Sequence, residues 1–163
     1  MPSGASPAGG AVSRGGLRLN VLLLLAVLGT AVAVYLTYVA LDSEEEPFCS
    51  GIGDCATVQS SEYAKVGPVP VAVLGLGMYL GLLGLILARR FASFGRDPRF
   101  ALWTFALAMS GALYSAYLTY LEFFVIDAIC VWCVISATIV TLIFVCAIPD
   151  LPAARAELRA RAR

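Results

Sequence analysis

Long apolar stretches alternate with short polar segments along the chain. The apolar stretches lie at residues 17–41, 69–88, 100–125 and 128–148. Each one is close to the roughly 20 residues that an α-helix needs to cross the hydrocarbon core of a bilayer. Within that core a helix satisfies all of its own backbone hydrogen bonds. The pattern therefore predicts an all-α integral membrane protein built as a bundle of four transmembrane helices.

The first two stretches carry further local signals. Ala31-Val32-Ala33 resembles the cleavage site of a signal peptide, but the apolar run continues past it to Leu41, longer than an ordinary signal peptide. We therefore predict a retained helix. The second stretch is rich in small residues, which let membrane helices pack closely. These residues are Gly75, Gly77, Gly81 and Gly84.

Composition agrees with a membrane protein. Only 13% of the residues are charged, against about 25% in soluble domains. Residues 1–16 are mostly Gly, Ala, Ser and Pro without apolar periodicity, which predicts a disordered tail. Residues 17–150 would then form the membrane domain, and residues 151–163 a basic tail.

The charges are distributed unequally between the predicted loops. All basic residues except Lys65 lie in the two tails, in the loop between the second and third stretches or, for Arg18, at the very start of the first stretch. The loop after the first stretch is acidic. Basic residues remain on the cytoplasmic side of membrane proteins. We therefore predict cytoplasmic termini, with the acidic loop and residues 126–129 facing outward.

Cysteines supply the candidate chemistry. Cys49 and Cys55 lie in the acidic outer loop, and Cys130 and Cys133 lie at the outer end of the last stretch, on the side where disulfides persist. Residues three apart share a helix face, and a helix N-terminus stabilises a thiolate. Two cysteine pairs at one membrane face predict thiol–disulfide chemistry. Cys146 is interpreted as a small buried hydrophobe.

Two alternatives remain open for these cysteines. They could form a structural disulfide or a four-cysteine zinc site in a non-enzymatic membrane bundle. The spacing of Cys49 and Cys55 does not match the close C-x-x-C pairs of such zinc sites. The chain has no histidine, which excludes a Ser-His-Asp triad, a c-type haem site and histidine-ligated metals. We predict no metal and no nucleic-acid partner.

The segment between the first two stretches predicts a cap. Residues 56–65 mix apolar and polar side chains over two turns, which predicts a short helix on the membrane surface. Gly67-Pro68-Val69-Pro70 then turns the chain into the second span. Such a loop would leave an apolar chamber beside Cys133, open to lipid-soluble molecules. Candidates for its wall include Trp132, Tyr79 and Tyr117.

These motifs together resemble the vitamin K epoxide reductase family, its bacterial members more than the vertebrate enzyme. The resemblance covers about residues 17–149 and rests on the following positions: Cys49-x5-Cys55, Val58, Ser61, Gly67-Pro68-x-Pro70, Leu74-Gly75, Tyr79 and Cys130-x-x-Cys133. It implies a four-helix bundle that holds a quinone, ubiquinone or menaquinone, as electron acceptor.

The resemblance also implies a role for each cysteine. Cys133 would react with the quinone, Cys130 would exchange with Cys55, and Cys49 would meet an external thioredoxin-fold partner. The implied disulfides are Cys49–Cys55 and Cys130–Cys133, with a transient Cys55–Cys130 bond. Ser61 would be the loop serine beside the site.

The vertebrate enzyme holds its quinone with an asparagine and a tyrosine, and the corresponding positions here are Val71 and Ala137. Neither side chain can hydrogen bond to a carbonyl group, so a respiratory quinone is favoured over vitamin K epoxide. Residues 151–163 are too short for a fused thioredoxin-like domain, so the partner is expected to be a separate chain. The resemblance thus implies a thiol:quinone oxidoreductase of a bacterial inner membrane that supports disulfide formation. The unrelated DsbB-like enzymes catalyse the same reaction but place their cysteine pairs in the reverse order.

Overall fold

The computed structural model describes residues 9–42, 49, 53–93, 95 and 97–163, with side chains from residue 15 onward. Its four long helices are α1 (Gly9–Leu41), α3 (Val71–Phe91), α4 (Pro98–Leu121) and α5 (Val131–Ala147). Within the described chain, the segments that contain them are long and apolar enough to cross a membrane. The predicted fold class, a four-helix membrane bundle, is confirmed.

Shorter elements connect and flank these helices. They are α2 (Cys55–Ser60), a 3-10 turn (Glu62–Ala64), strands β1 (Lys65–Val66) and β2 (Val69–Pro70), a π-helical turn (Glu122–Ile126), a second 3-10 turn (Ile148–Asp150) and α6 (Leu151–Arg161). The predicted surface helix over residues 56–65 is therefore wrong in its second half. Ser61 adopts an extended conformation that ends α2, and a small antiparallel hairpin follows.

The helix ends also differ from the sequence prediction. The first helix begins at Gly9, so residues 9–16 of the predicted disordered tail are helical, while residues 1–8 lie outside the described chain. Extending a formed helix is easier than starting one, because each added residue gains a hydrogen bond. The last span begins at Val131 rather than at residue 128, because Cys130 has an extended backbone and caps the helix.

Close packing inside the bundle depends on two glycines outside the glycine-rich stretch. A Cβ atom on Gly29 of α1 would overlap the ring of Tyr79, and one on Gly111 of α4 would overlap Met78. By contrast, Gly75, Gly77 and Gly84 have no neighbour within 4 Å of such an atom. The prediction that this stretch provides close helix contacts is wrong at those three positions, because they face open space.

Ionic contacts gather at the end of the bundle away from Cys130. Asp150, which follows α5, pairs with Arg18 of α1 at 3.2 Å and also with Arg89 of α3. Arg161 of α6 lies 3.3 Å from Asp97, the residue that caps α4. Cys130 and Asp150 flank α5, whose 17 residues span about 25 Å at 1.5 Å per residue. The ionic contacts and the cysteine pairs therefore lie at opposite ends.

Candidate redox site

The loop that carries Cys55 is fixed by a helix cap. Asp54 accepts hydrogen bonds from the Thr57 amide at 3.0 Å and from the Thr57 hydroxyl at 2.6 Å. The hydroxyl and then the amide hydrogen bond lower the pKa of Asp54 below its ordinary value. Because Asp54 caps α2, Cys55 becomes the first residue of that helix and its side chain is buried.

A glycine allows this loop to approach the turn before Cys130. Gly53 has a φ of +90°, and a Cβ atom there would overlap the carbonyl oxygen of Ile129. The next residue, Asp54, donates its backbone N–H to the same carbonyl oxygen at 3.0 Å. The loop is thereby docked directly against the segment that leads into α5.

Cys49 and Cys55 form a disulfide, with their Cα atoms 6.2 Å apart. Cys49 is half-buried and Cys55 is almost fully buried, so Cys49 is the more exposed residue of the two. Two glycines, Gly51 and Gly53, lie between these cysteines in the sequence. Gly51 belongs to residues 50–52, which lie outside the described chain. Across the described residues, no group of three His, Cys, Asp or Glu side chains could hold a metal ion.

Cys130 and Cys133 share the first turn of α5. Cys130 caps the helix, and its sulfur accepts a hydrogen bond from the Cys133 amide at 3.3 Å. The Cys133 thiol also points at this sulfur, with 2.7 Å between the two Sγ atoms. The hydrogen bond from the Cys133 side chain lowers the pKa of Cys130. The two sulfurs are therefore close enough to form a disulfide with each other, and the hydrogen bond favours the thiolate form of Cys130.

The two cysteines of this turn face different surroundings. Cys130 is fully buried in a cluster with Cys55, Val58 and Ala128, against which Cys49 and Cys133 pack. Of the two cysteines of this turn, Cys133 alone also lies in the wall of a cavity of about 430 Å³. Cys130 therefore lies within the cluster of the loop cysteine Cys55, whereas Cys133 lies between that cluster and an internal space.

The cavity lies among the four long helices beneath the cap formed by α2 and the turn that follows it. Most of its wall is apolar, and its lining includes Ala33 of α1, Leu107 of α4 and Tyr63 of the cap. Ligand sites in proteins have comparable volumes, with apolar walls and a few polar groups. This space corresponds to the apolar chamber expected beside Cys133.

Apart from the cysteines, three of the predicted site residues lie in the cavity wall, and three do not. Ser61, Val71 and Ala137 line it. Ser61 donates its hydroxyl to the carbonyl oxygen of Val58 at 2.7 Å. The residues predicted for the wall that lie elsewhere are Trp132, Tyr79 and Tyr117.

Each of these three has another position in the bundle. Trp132 packs against Tyr35 with 4.8 Å between ring centroids. It points away from the cavity that Cys133 lines, because adjacent residues of a helix point about 100° apart. Tyr79 is fully buried in the core, where its hydroxyl donates to the Ser136 carbonyl at 2.8 Å. Tyr117 is 52% exposed on the surface of α4. The assignment of these residues to the chamber is therefore wrong.

Two cavity residues escaped sequence reasoning. Glu122 is only 3% exposed, and its Oε2 atom accepts a hydrogen bond from the Cys130 amide at 3.1 Å. A carboxylate inside an apolar stretch is a general signal of function, and it could have identified this residue. Gln59 also lines the cavity, and among the described residues its buried Nε2 atom has no hydrogen-bond partner. No sequence pattern distinguishes Gln59 from an ordinary polar residue of a surface helix.

Comparison with known proteins agrees with this geometry. The model of the vitamin K epoxide reductase family matches residues 20–148 of the chain. The chain is also similar to the thiol-disulfide oxidoreductase LTO1 of Arabidopsis thaliana, with 34% identity over 124 residues. That alignment covers 72% of this chain and 32% of the relative, so the chain spans about a third of the relative's length.

Proposed function

Because this chain belongs to the vitamin K epoxide reductase family and is an integral membrane protein, we propose that it is a thiol–disulfide oxidoreductase that passes electrons to a membrane quinone. One observation carries the proposal: Cys130 is buried beside Cys55, whereas Cys133 lines the cavity. A pair of cysteines with separate surroundings on its two sides can receive electrons on one side and deliver them on the other.

The first step takes electrons from a reduced thioredoxin-fold protein. A thiolate of that partner attacks the half-buried Cys49 sulfur, and Cys55 leaves as a thiolate. The second partner thiol then attacks the mixed disulfide, which releases Cys49 and leaves the partner oxidised. Only a thiolate attacks a disulfide sulfur, and access decides which sulfur is attacked. The greater exposure of Cys49 supports its role as the entry point.

The second step moves the electrons inward. The Cys55 thiolate attacks the Cys130 sulfur of an oxidised Cys130–Cys133 pair, and Cys133 leaves as a thiolate. Cys49 then attacks Cys55, which restores the Cys49–Cys55 disulfide and releases Cys130. The common buried cluster of Cys55 and Cys130 supports this route. The docking of Asp54 on Ile129 supports it further, because that contact holds the two segments together.

The third step reduces the quinone. Cys133 and Cys130 form a disulfide, and the quinone gains two electrons and two protons to become a quinol. The cavity wall beside Cys133 is mostly apolar, which suits a lipid-soluble acceptor. Val71 and Ala137 are both in that wall and neither side chain can donate a hydrogen bond, so we propose a respiratory quinone rather than vitamin K epoxide as the acceptor.

We also propose that the cysteine pairs face the extracytoplasmic side. The described arginines Arg18, Arg89 and Arg161 form ion pairs at the end of the bundle away from the cysteines. Basic residues favour the cytoplasmic side. A tag added at either terminus should therefore be protected from protease in intact cells, whereas cysteines of the capping loop should react with an impermeant thiol reagent after mild reduction.

Quinone-dependent oxidation of a reduced thioredoxin-fold protein by the purified membrane protein tests the proposed function. The parent should oxidise the partner only when quinone is present, and Cys133→Ala should abolish quinone reduction. Cys146→Ala is the matched control. Cys146 lies on the same helix as Cys133 but packs against the hydrophobic core of the bundle, away from the cysteine pairs. Equal turnover in the parent and in Cys133→Ala would contradict the proposal.

A further inference from the structure

Glu122 is a buried acid in direct contact with the reactive cysteine pair. It begins the π-helical turn after α4, and the chain then passes through Asp127, whose φ of 58° is left-handed. This reversal returns the backbone so that the amide of Cys130, eight residues later, donates to Glu122 Oε2 at 3.1 Å. The Cys133 side chain lies in the same cavity wall as Glu122. The carboxyl group therefore contacts the Cys130 backbone and shares a cavity with Cys133.

The surroundings of Glu122 do not fit a structural ion pair. Within the described part of the chain, no lysine or arginine lies within salt-bridge distance of its carboxyl group. Its ionisable neighbours are Cys130, through the backbone amide, and Cys133, in the same cavity wall. Burying a carboxyl group without a cationic partner is costly. Glu122 also lines the cavity together with Cys133, so it faces the same space as the thiol.

Reduction of a quinone in this cavity needs protons as well as electrons, and apolar walls do not supply them. We propose that Glu122 is a catalytic proton carrier, which accepts the proton of the Cys133 thiol and delivers it to an oxygen of the reduced quinone. The inference rests on the proposed function and deepens it.

The step balances in electrons and protons. Cys133 loses its proton to the Glu122 carboxylate and supplies electrons as a thiolate. The Cys130–Cys133 disulfide forms as two electrons pass to the quinone. One quinone oxygen takes the proton from Glu122, which returns to the carboxylate. The second oxygen takes a proton from solvent, because Cys130 reacts as a thiolate. The quinone is the oxidant, and the thiol pair is the reductant.

Glu122→Gln separates proton transfer from positioning. The amide oxygen of glutamine can still accept the hydrogen bond from the Cys130 amide, but the side chain cannot carry a proton at neutral pH. Glu122→Asp retains an acid with a shorter reach. Glu157→Gln is the matched control, because Glu157 lies on exposed α6 and pairs with Arg161.

The experiment mixes pre-reduced protein with quinone in a single turnover across a range of pH. Glu122→Gln should slow quinol formation by about 100-fold, the usual size of general acid–base catalysis. The remaining rate should rise with pH, since hydroxide must then remove the thiol proton. Glu122→Asp should show an intermediate rate without that rise, and Glu157→Gln should match the parent. Transfer of electrons from the partner into the Cys130–Cys133 pair should remain close to parental in Glu122→Gln, which establishes that the variant is folded.

The outcomes distinguish the two proposals. A parental rate and pH profile in Glu122→Gln would overturn the role of Glu122 and leave the proposed function standing. A parent that reduces no quinone would overturn the proposed function, and this inference with it. If Glu122→Gln fails to fold, Glu122→Asp provides the test instead. The inference would be overturned if quinol formation in Glu122→Asp were slowed by about 100-fold and its rate rose with pH, as expected when hydroxide removes the thiol proton.

Discussion

Cys130 and Cys133 belong to one turn of α5, but the two sides of that turn are built differently. On the Cys130 side the chain is sealed: Cys130 is fully buried in one cluster with Cys55, and the loop that carries Cys55 docks on Ile129. On the Cys133 side the bundle leaves a cavity of about 430 Å³. Thiol exchange between two cysteine pairs of one chain needs close contact between sulfurs, whereas a diffusible acceptor needs space. The comparison shows how a single helix turn can separate two exchange partners.

Damage to the sealed side should have the largest effect. Gly53→Ala forces a side chain against the Ile129 carbonyl oxygen and should displace Cys55 from Cys130. A misplacement of about 1 Å can cost about 100-fold in rate, so we expect exchange between the two cysteine pairs to slow by about that factor. Rapid-quench alkylation of the cysteines measures this exchange.

Gly67→Ala is the matched control for that change. Gly67 also has a positive φ, of 61°, but no atom lies within 4 Å of an added Cβ atom. It should therefore share the conformational strain of Gly53→Ala without the overlap, and exchange should remain near the parental rate. Equal slowing in both variants would mean that backbone strain, rather than docking on Ile129, controls the exchange.

A change in the cavity wall should have a smaller effect. Loss of the unpartnered Gln59 amide in Gln59→Leu should raise the KM for quinone about 5-fold, which corresponds to one net hydrogen bond of about 1 kcal/mol. Electron transfer from the partner should not change. Tyr117→Phe is the control, because Tyr117 lies outside the cavity wall and its substitution should leave the KM unchanged. A raised KM for quinone in Tyr117→Phe together with an unchanged KM in Gln59→Leu would contradict the placement of Gln59, rather than Tyr117, in the cavity wall.

The smallest expected change concerns only the pH dependence of Cys130. The hydrogen bond from Cys133 lowers the pKa of Cys130, so the thiolate persists to lower pH than in an ordinary cysteine and is lost as the pH falls through the lowered pKa. Cys133→Ala removes that hydrogen bond and should move the titration to higher pH. Ultraviolet absorbance of the thiolate measures the titration of Cys130 in protein whose cysteines other than Cys130 and Cys133 are alanine.

Cys133→Ser provides the comparison for that titration. The serine hydroxyl can still donate a hydrogen bond to the Cys130 sulfur. The titration of Cys130 should therefore lie at lower pH in Cys133→Ser than in Cys133→Ala. Identical titrations in the two variants would show that the donor at position 133 does not set the pKa of Cys130.

The membrane helices could be predicted because hydropathy is a local property of the chain. The number of spans and the position of Cys130 and Cys133 at the start of the last helix followed directly. The contact between Glu122 and Cys130 could not be placed in the same way. It depends on the π-helical turn and on the left-handed Asp127, and neither has a reliable signal in the sequence.

Neighbouring positions in sequence also gave wrong neighbours in space. Trp132 adjoins Cys133 in the chain but points toward Tyr35, since the helix rotates between them. The glycines that allow close packing were mostly not those of the glycine-rich stretch, in which only Gly81 would place a Cβ atom against a neighbour, Leu107. Gly29 and Gly111 lie against large side chains of α3, whereas Gly75 lies in the cavity wall. Only the arrangement of the helices determines which small residues meet a neighbour.

Disulfide formation in two matched variants tests the separation of the two cysteines most directly. In Cys49→Ala/Cys133→Ala, Cys55 and Cys130 remain, and mild oxidation should join them rapidly because they share one buried cluster. In Cys49→Ala/Cys130→Ala, Cys55 and Cys133 remain, and they should join more slowly, because Cys133 packs against that cluster from outside and also lines the cavity. Non-reducing peptide mapping by mass spectrometry measures both. Faster joining of Cys55 to Cys133 than to Cys130 would contradict the account.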